Sequence, residues 1–453
     1  MLEVEVVATP ELGDRSYVVH DRTHALVVDP QRDIERIEEL LARLGLTCSL
    51  VVETHIHNDY VTGGLALAKR TGARYALSSS DHLDFDHLDV SDGDELTVGS
   101  LSVRVVATPG HTDDHVAYVV TDGATSVVLT GGSLLFGSVG RTDLVDPGRV
   151  DELTRAQYRS ARRLGAELPD QTPVYPTHGF GSFCSSGSSA SADESTIGVE
   201  RSRNDAFVLD SEDEFVRTLV AGLTAYPSYY VHMAPLNRGG PAAVTIETPT
   251  PSDPAELGAR VARGEWVVDL RARAAFAAEH LRGTIAIELG DNFSTYLGWI
   301  LPWGAPLTLI GESPDDVTAA QRQLIRIGID HVASAAVGTP RSLASPLALA
   351  HIRRVTFAEL AAQENATILD VRRDDETRHG VIEGSTHVAL SSLESRLDEL
   401  PPGPLWVHCA SGYRASIAAS LLERAGREVV LVDDDFANAR HVVSESTPAV
   451  SPR

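Results

Sequence analysis

The sequence is short of cysteine, of basic charge and of long apolar runs, and each shortage excludes a class of protein. Only three cysteines occur in 453 residues, Cys48, Cys184 and Cys409, an odd number set far apart. That count rules out a disulfide framework and suits a reducing compartment, so any conspicuous cysteine is a candidate thiol. Lys and Arg number 38 against 64 Asp and Glu, a formal net charge of −26. The averaged field therefore repels phosphate backbones and anionic bilayers, and neither nucleic acid nor a membrane is expected as a partner. No uninterrupted apolar stretch reaches the ~18 to 20 residues that cross a bilayer. The start, MLEVEVVATPELGD, carries acids where a signal peptide carries bases, so the expected location is the cytoplasm. What is present is a soluble globular balance, 43% apolar and 23% charged. At ~100 to 200 residues per domain, the length suits two to four domains.

Along the chain, alternating strand patterns come first. Hairpins are expected in ELTVGSLSVRVV, turning at Gly99-Ser100, and in HVAYVVTDGATSVVLT, turning at Asp122-Gly123. Helical periodicity marks IERIEELLARLG and GGLALAKRTG. Mixed sheets covered by helices follow from that alternation, giving a first domain over 1–246. Residues 181–195, GSFCSSGSSASADES, read as a polar loop. A Pro- and Asp-rich linker, ETPTPSDPAELG, occupies 247–258, and a second break, GTPRSLASP, occupies 338–346. Around that second break the chain repeats at a spacing of about one hundred residues. Asp269, Arg271 and Gly283 in the first copy match Asp370, Arg372 and Gly384 in the second at one constant offset. Two copies of one small α/β domain are expected, over 258–337 and 350–445, each with a βαβ rhythm after the strands PLTLI and PLWVH.

The segment VVETHIHNDYVTGG sets His55, His57 and Asp59 at alternate positions behind an apolar strand. On an extended backbone all three would point to one side, and imidazole and carboxylate are ligands that borderline divalent metals choose. His111 in TPGHT and His178 in PTHG follow at strand ends, where either could complete a site.

Taken together, THIHND, TPGHT, TGGSLLFGSVGRTD and PTHG resemble the successive motifs of the metallo-β-lactamase fold, and most of all its persulfide dioxygenase and glyoxalase II branch. The resemblance implies an αββα sandwich in which His55, His57, Asp59, His111 and His178 match metal ligands. Two positions depart: Tyr60 stands where the family has a second His of HxHxDH, and Gly132 stands where it has the TGD aspartate. A two-metal hydrolase would need both, so a single site of His55, His57 and His111 is expected, with Asp59 as the nearest spare carboxylate. A water could occupy the room left at Gly132. One divalent metal, Fe(II) ahead of Zn(II), is implied, or none because the carboxylate is gone. Arg141 matches the family's Gly-Arg-Thr-Asp motif. There it either holds a substrate carboxylate or pairs with Asp143.

Cysteine chemistry is clearest at LWVHCASGYRASIAASLLERAG, where Cys409 ends a strand and opens a loop that leads into a helix near Ala415. Loop N–H groups, the helix dipole and the guanidinium of Arg414 favour a thiolate, Ser411 can donate another hydrogen bond, and Gly412 lets the loop curl. With the preceding LDVR, this loop resembles that of the rhodanese sulfurtransferases, which implies doubly wound α/β domains and a persulfide carried on Cys409. The middle copy has GESPDD at the corresponding place and no nucleophile. Cys48 reads as core. Cys184 reads as incidental, with nothing cationic beside it.

The three-part order resembles fused dioxygenase and sulfurtransferase proteins of bacterial sulfide detoxification. It implies a small-molecule thiol persulfide as substrate and sulfite or thiosulfate as product or acceptor, with homo-oligomerisation left open. The alternatives are a zinc-dependent thioester hydrolase and a metal-free persulfide-binding protein in which only Cys409 reacts.

Overall fold

The computed structural model describes residues 1–80, 82–187, 193–345, 347–439 and 445–446. It divides into two compact units, Met1–Thr245 with Leu324–Gly328, and Ile246–Gln323 with Ile329–Arg453. Among the described residues, no helix is long and apolar enough to cross a membrane.

The first unit is built on two sheets. One runs in chain order through β1 (Glu3–Thr9), β2 (Asp14–His20), β3 (His24–Val28), β4 (Thr47–Val52), β5 (Arg74–Ser78) and β6 (Leu88–Val90). The other runs from β7 (Glu95–Val98) through β8 (Leu101–Ala107), β9 (Val116–Thr121) and β10 (Ser126–Gly131) to β11 (Val174–Pro176). Alternate residues of both sheets, such as Val19, Leu26, Leu50 and Val52 against Val103, Val105, Tyr118 and Leu129, share one buried core. The opposite faces are covered by helices. α1 (Glu35–Leu44) and α2 (Gly64–Thr71) pack on the first sheet, and α3 (Val150–Glu167) packs on the second. This is the αββα sandwich that the family resemblance implies, and it agrees with the mixed, helix-covered sheets expected from the alternating patterns. The first hairpin closes at Gly99-Ser100, with Val98 opposite Leu101. The second spans four residues, because Asp122 Oδ1 accepts from the N–H groups of Ala124 and Thr125 and widens the turn.

In the second unit, the matching strands Trp266–Asp269 and Thr367–Asp370 lie within parallel sheets of their own. The repeat extends to side chains. Arg271 folds back on Asp269 at 2.7 Å, and Arg372 does the same on Asp370. Gly283 and Gly384 both adopt positive φ, 85° and 76°. Each copy continues as strand, helix and strand: Leu307–Gly311, Pro314–Arg326 and Ser334–Val337, then Leu405–His408, Tyr413–Arg424 and Val429–Val432.

Both expected linkers carry structure. A helix over Pro254–Ala262, capped by Asp253, begins inside 247–258, and Pro340–Leu343, capped by Thr339, lies inside 338–346. Of the expected polar loop 181–195, residues 188–192 fall outside the described residues.

Candidate functional site

β4 ends at Val52, and the segment from Glu53 onward bends instead of continuing as a strand. The extended backbone expected for His55, His57 and Asp59 is therefore absent. A web of side chains holds the segment instead. Asp29 accepts from Thr54 N–H at 2.7 Å and from Thr54 Oγ1 at 2.8 Å. Asn237 Nδ2 donates to the carbonyls of His57 and Tyr60, both at 2.9 Å, while its Oδ1 accepts from Thr62 N–H.

The imidazoles of His55, His57, His111, His115 and His178 gather in one buried cluster. His55 and His178 face one another with Nε2 atoms 3.3 Å apart. Two nitrogens held about 2.0–2.1 Å from one tetrahedral metal stand about 3.4 Å apart, so this pair already has the spacing of neighbouring ligands. His57 Nδ1 and His111 Nε2 are buried and have no hydrogen-bond partner among the described residues. Ligand atoms of His55, His57 and His178 lie within 4.8 Å of one another. A buried lone pair without a partner is costly, and an ion would satisfy that of His111 Nε2, so these imidazoles fit a divalent metal.

The ligand grouping differs from the expected one. His178 joins His55 and His57, whereas His111 groups with His178 and Cys184, and Asp59 groups with Asp14 and His178. His178 Nδ1 sits 2.9 Å from Asp14 and 3.2 Å from Asp59, which fixes its ring. Burial and the charge of Asp59 push Asp14 up to about 7. His57 Nε2 meets the Tyr60 hydroxyl at 2.9 Å and the carboxylates of Asp29 and Glu53 at 3.3 Å. Burial opposes its charge, but the two carboxylates outweigh that and hold His57 up at about 9. Tyr60 stacks on His57 with ring centroids 4.2 Å apart.

Gly132 leaves no room for a water. A Cβ built there would lie 2.3 Å from His111 Cδ2, and one at Gly140 would lie 2.6 Å from His111 Nδ1, so the ring fills the space between two glycines. Arg141 takes the second of its two alternatives. It is 1% exposed, grips Asp143 with Nε and Nη2 at 2.7 and 2.8 Å, and gives its other donors to the carbonyls of Phe183 and Thr224. Four of its five N–H donors are thereby engaged, and the fifth, on Nη1, is held in a side chain that is almost wholly buried. Cys184 is buried beside His111 and His178; burial and the charges of Asp59 and Asp14 push its thiol well above the ordinary range, and the charge of Arg141 only partly opposes them, so a cationic neighbour is present where none was expected. Asp14, Asp29, Glu53, His115 and Asn237 escaped the sequence reading. His115, four residues after His111 in GHTDDH, was the most accessible of these, and its Nε2 accepts from Gly132 N–H at 2.9 Å.

In the second unit Cys409 follows the strand Leu405–His408 and is 1% exposed. Its loop enters the helix at Tyr413, two residues earlier than expected, through Gly412 at φ 86°, where a Cβ would strike Asp433. Arg414 lies beside the thiol, and its guanidinium is paired bidentately with Glu376. Its charge is therefore shared, not devoted to Cys409. Ser411 is exposed on the loop, and its carbonyl accepts from Arg273 at 3.4 Å. A narrow cleft beside the loop is lined by Tyr296, Trp299, Ile300, Arg373, Leu390 and Arg414. The corresponding loop of the middle copy is closed on itself. Asp316 accepts from the N–H groups of Glu312 and Ser313 at 3.0 and 2.9 Å, filling an anion cradle with its own carboxylate.

Family models match parts of both units. Residues 11–178 match the metallo-beta-lactamase superfamily, and residues 355–440 match the rhodanese-like domain. The human protein named persulfide dioxygenase ETHE1, mitochondrial, is 30% identical over 210 residues, 46% of this chain and 74% of that protein. A hydroxyacylglutathione hydrolase of Methylobacillus flagellatus is 35% identical over 166 residues, 36% of this chain and 61% of that protein. A metallo-beta-lactamase crystal structure from Staphylococcus aureus superposes with a TM-score of 0.67 at 26% identity, covering 75% of this chain and 99% of that one. The chain belongs to the metallo-β-lactamase superfamily, among the homologues of persulfide dioxygenase, with a rhodanese-like domain fused on its C-terminal side.

Proposed function

We propose that the chain handles low-molecular-weight thiol persulfides in two steps, oxidation in the first unit and sulfane-sulfur transfer at Cys409. In the first, RSSH, O₂ and water give RSH, sulfite and two protons. In the second, the Cys409 thiolate attacks the outer sulfur of a persulfide, the RS–S bond breaks, and the thiol leaves. Sulfite then takes that sulfur as thiosulfate and restores the thiolate. The observation that carries this reading is the placement of Cys409 at the entry of the Tyr413–Arg424 helix, in a chain whose first unit gathers buried imidazoles with unpartnered nitrogens.

His55, His57, His178 and His111 would hold the metal of the first unit. When bound, that metal supplies Lewis acidity and open coordination positions. Asp14 and Asp59 hold the Nδ1–H of His178, so that its Nε2 faces the cluster. At the second site, Gly412 at φ 86° lets the loop curl into the helix, so that Cys409 sits at the helix entry beside Arg414.

The test uses the whole chain and glutathione persulfide. Oxygen uptake with sulfite release is expected. Thiosulfate formation from sulfite and persulfide is expected to vanish in Cys409→Ser while oxygen uptake persists. Hydrolysis of a glutathione thioester without oxygen uptake would overturn the oxidative half, and sulfur transfer unaffected by Cys409→Ser would overturn the other.

A further inference from the structure

We propose that Cys184 is a metal ligand in this chain, its thiolate joining His111 and His178 around one divalent ion in place of the carboxylate missing at position 132. The inference rests on a metal centre in the first unit, not on persulfide as its substrate. Sγ of Cys184 and ligand nitrogens of His111 and His178 lie within 4.8 Å of one another, and all three residues are buried. A tetrahedral ion with ordinary Zn–S and Zn–N bonds would set sulfur and nitrogen about 3.6 Å apart, so a closure on the order of 1 Å completes the set.

Hydrogen bonding fixes both imidazoles in the tautomer that a metal needs. His111 Nδ1 lies 2.7 Å from the carbonyl of Arg141, which can only accept, so the proton sits on Nδ1 and the lone pair on Nε2. That Nε2 is buried and has no hydrogen-bond partner among the described residues. His178 gives its Nδ1–H to Asp14 and Asp59, the carboxylate–histidine arrangement that backs a ligand, and presents Nε2. The backbone of one residue registers the ligands: Arg141 accepts from His111 through its carbonyl and donates its N–H to the carbonyl of Cys184 at 2.8 Å. The Cys184 N–H is in turn held by Ser182 Oγ at 3.2 Å.

Position 132 cannot supply the missing anion, because His111 already occupies the space in front of it. A thiolate restores the negative charge that two neutral imidazoles lack. It also makes the donor set softer, which suits Zn(II) and Co(II) as well as Fe(II).

Cobalt reports the bond directly. The full-length chain, stripped of metal and titrated with Co(II), is expected to show a thiolate-to-cobalt charge-transfer band in the near ultraviolet at one ion per chain. The band is expected to persist in Cys409→Ser and Cys48→Ser and to vanish in Cys184→Ser. Cys184→Asp, which restores an anionic ligand, is expected to keep the stoichiometry while losing the band, so a poorly loading serine variant does not decide the matter. Failure of the wild-type chain to bind Co(II), absence of the band, or its survival in both Cys184 variants overturns the inference. None of these readouts depends on oxygen uptake, so loss of the persulfide reading and loss of this one are distinguishable.

Discussion

Arg414 Nη2 lies 2.8 Å from Glu376 Oε1, and the two side chains form a two-pronged ion pair beside Cys409. Burial alone would raise the Glu376 carboxyl, but the hydrogen bonds and charge of Arg414 outweigh it and hold the group down at about 2. The guanidinium is thereby oriented and partly neutralised. What remains to favour an anion at the loop is mainly its N–H groups and the helix N-terminus.

Glu376→Gln separates these contributions. It leaves Arg414 at 7% exposure without a counter-charge and is expected to cost on the order of 1–3 kcal/mol at pH 7, measured by urea denaturation. A carboxyl depressed in the folded state stabilises above its unfolded value, about 4.3, and that contribution disappears as pH falls toward 2. The gap between wild type and variant is therefore expected to close over that window. At pH 7 the variant's freed positive charge is expected to speed alkylation of Cys409 by iodoacetamide several-fold.

Restoring the family carboxylate by Gly132→Asp is expected to fail. The new Cβ would enter the His111 ring at 2.3 Å, and overpacking of this kind costs about 1–3 kcal/mol. The expected result in calorimetry is a lower midpoint for the first unit. Metal content should not rise. A stable Gly132→Asp chain that binds more metal would mean that His111 yields easily.

Much of the architecture was legible because it rests on local pattern. The alternation in β7 to β10 and the apolar stripes of α1 and α2 place those elements within a residue or two. The Asp–Arg–Gly repeat marks equivalent positions, and the ion pairs that Asp269 and Asp370 form with Arg271 and Arg372 emerge only in the structure. The His cluster was legible as a set, but its grouping was not, since that depends on contacts between residues far apart in sequence. Asn237 reaches back to His57 across 180 residues, and Asp14 reaches His178 across 164. The role of Arg141 stayed open between two alternatives for the same reason: Thr224 and Phe183, which absorb much of the guanidinium, carry no motif.

The paired charges of the repeat allow a like-for-like comparison. Asp269→Asn and Asp370→Asn preserve volume but leave Arg271 and Arg372 buried without a full charge partner. Each is expected to destabilise its own copy by about 3–5 kcal/mol. Hydrogen exchange followed by mass spectrometry should show faster exchange near Trp266–Asp269 in the first variant and near Thr367–Asp370 in the second. Equal loss of protection across both copies in either variant would show that they unfold as one.

Asn237 offers the sharpest test of how the His loop is held. Its amide makes three hydrogen bonds to that loop, donating to the carbonyls of His57 and Tyr60 and accepting from Thr62 N–H. Asn237→Ala orphans all three buried groups, and at about 1 kcal/mol each the loss is expected to reach roughly 2–4 kcal/mol. Asn237→Asp keeps the acceptor but sets a carboxylate against two carbonyl oxygens, so it should destabilise at least as much despite being nearly isosteric. Both should weaken retention of Co(II) or Zn(II) against a chelator, because His57 moves with its carbonyl, while thiosulfate formation at Cys409 stays intact. If Asn237→Ala releases metal no faster than wild type, the loop owes its geometry to Asp29 and Thr54 instead.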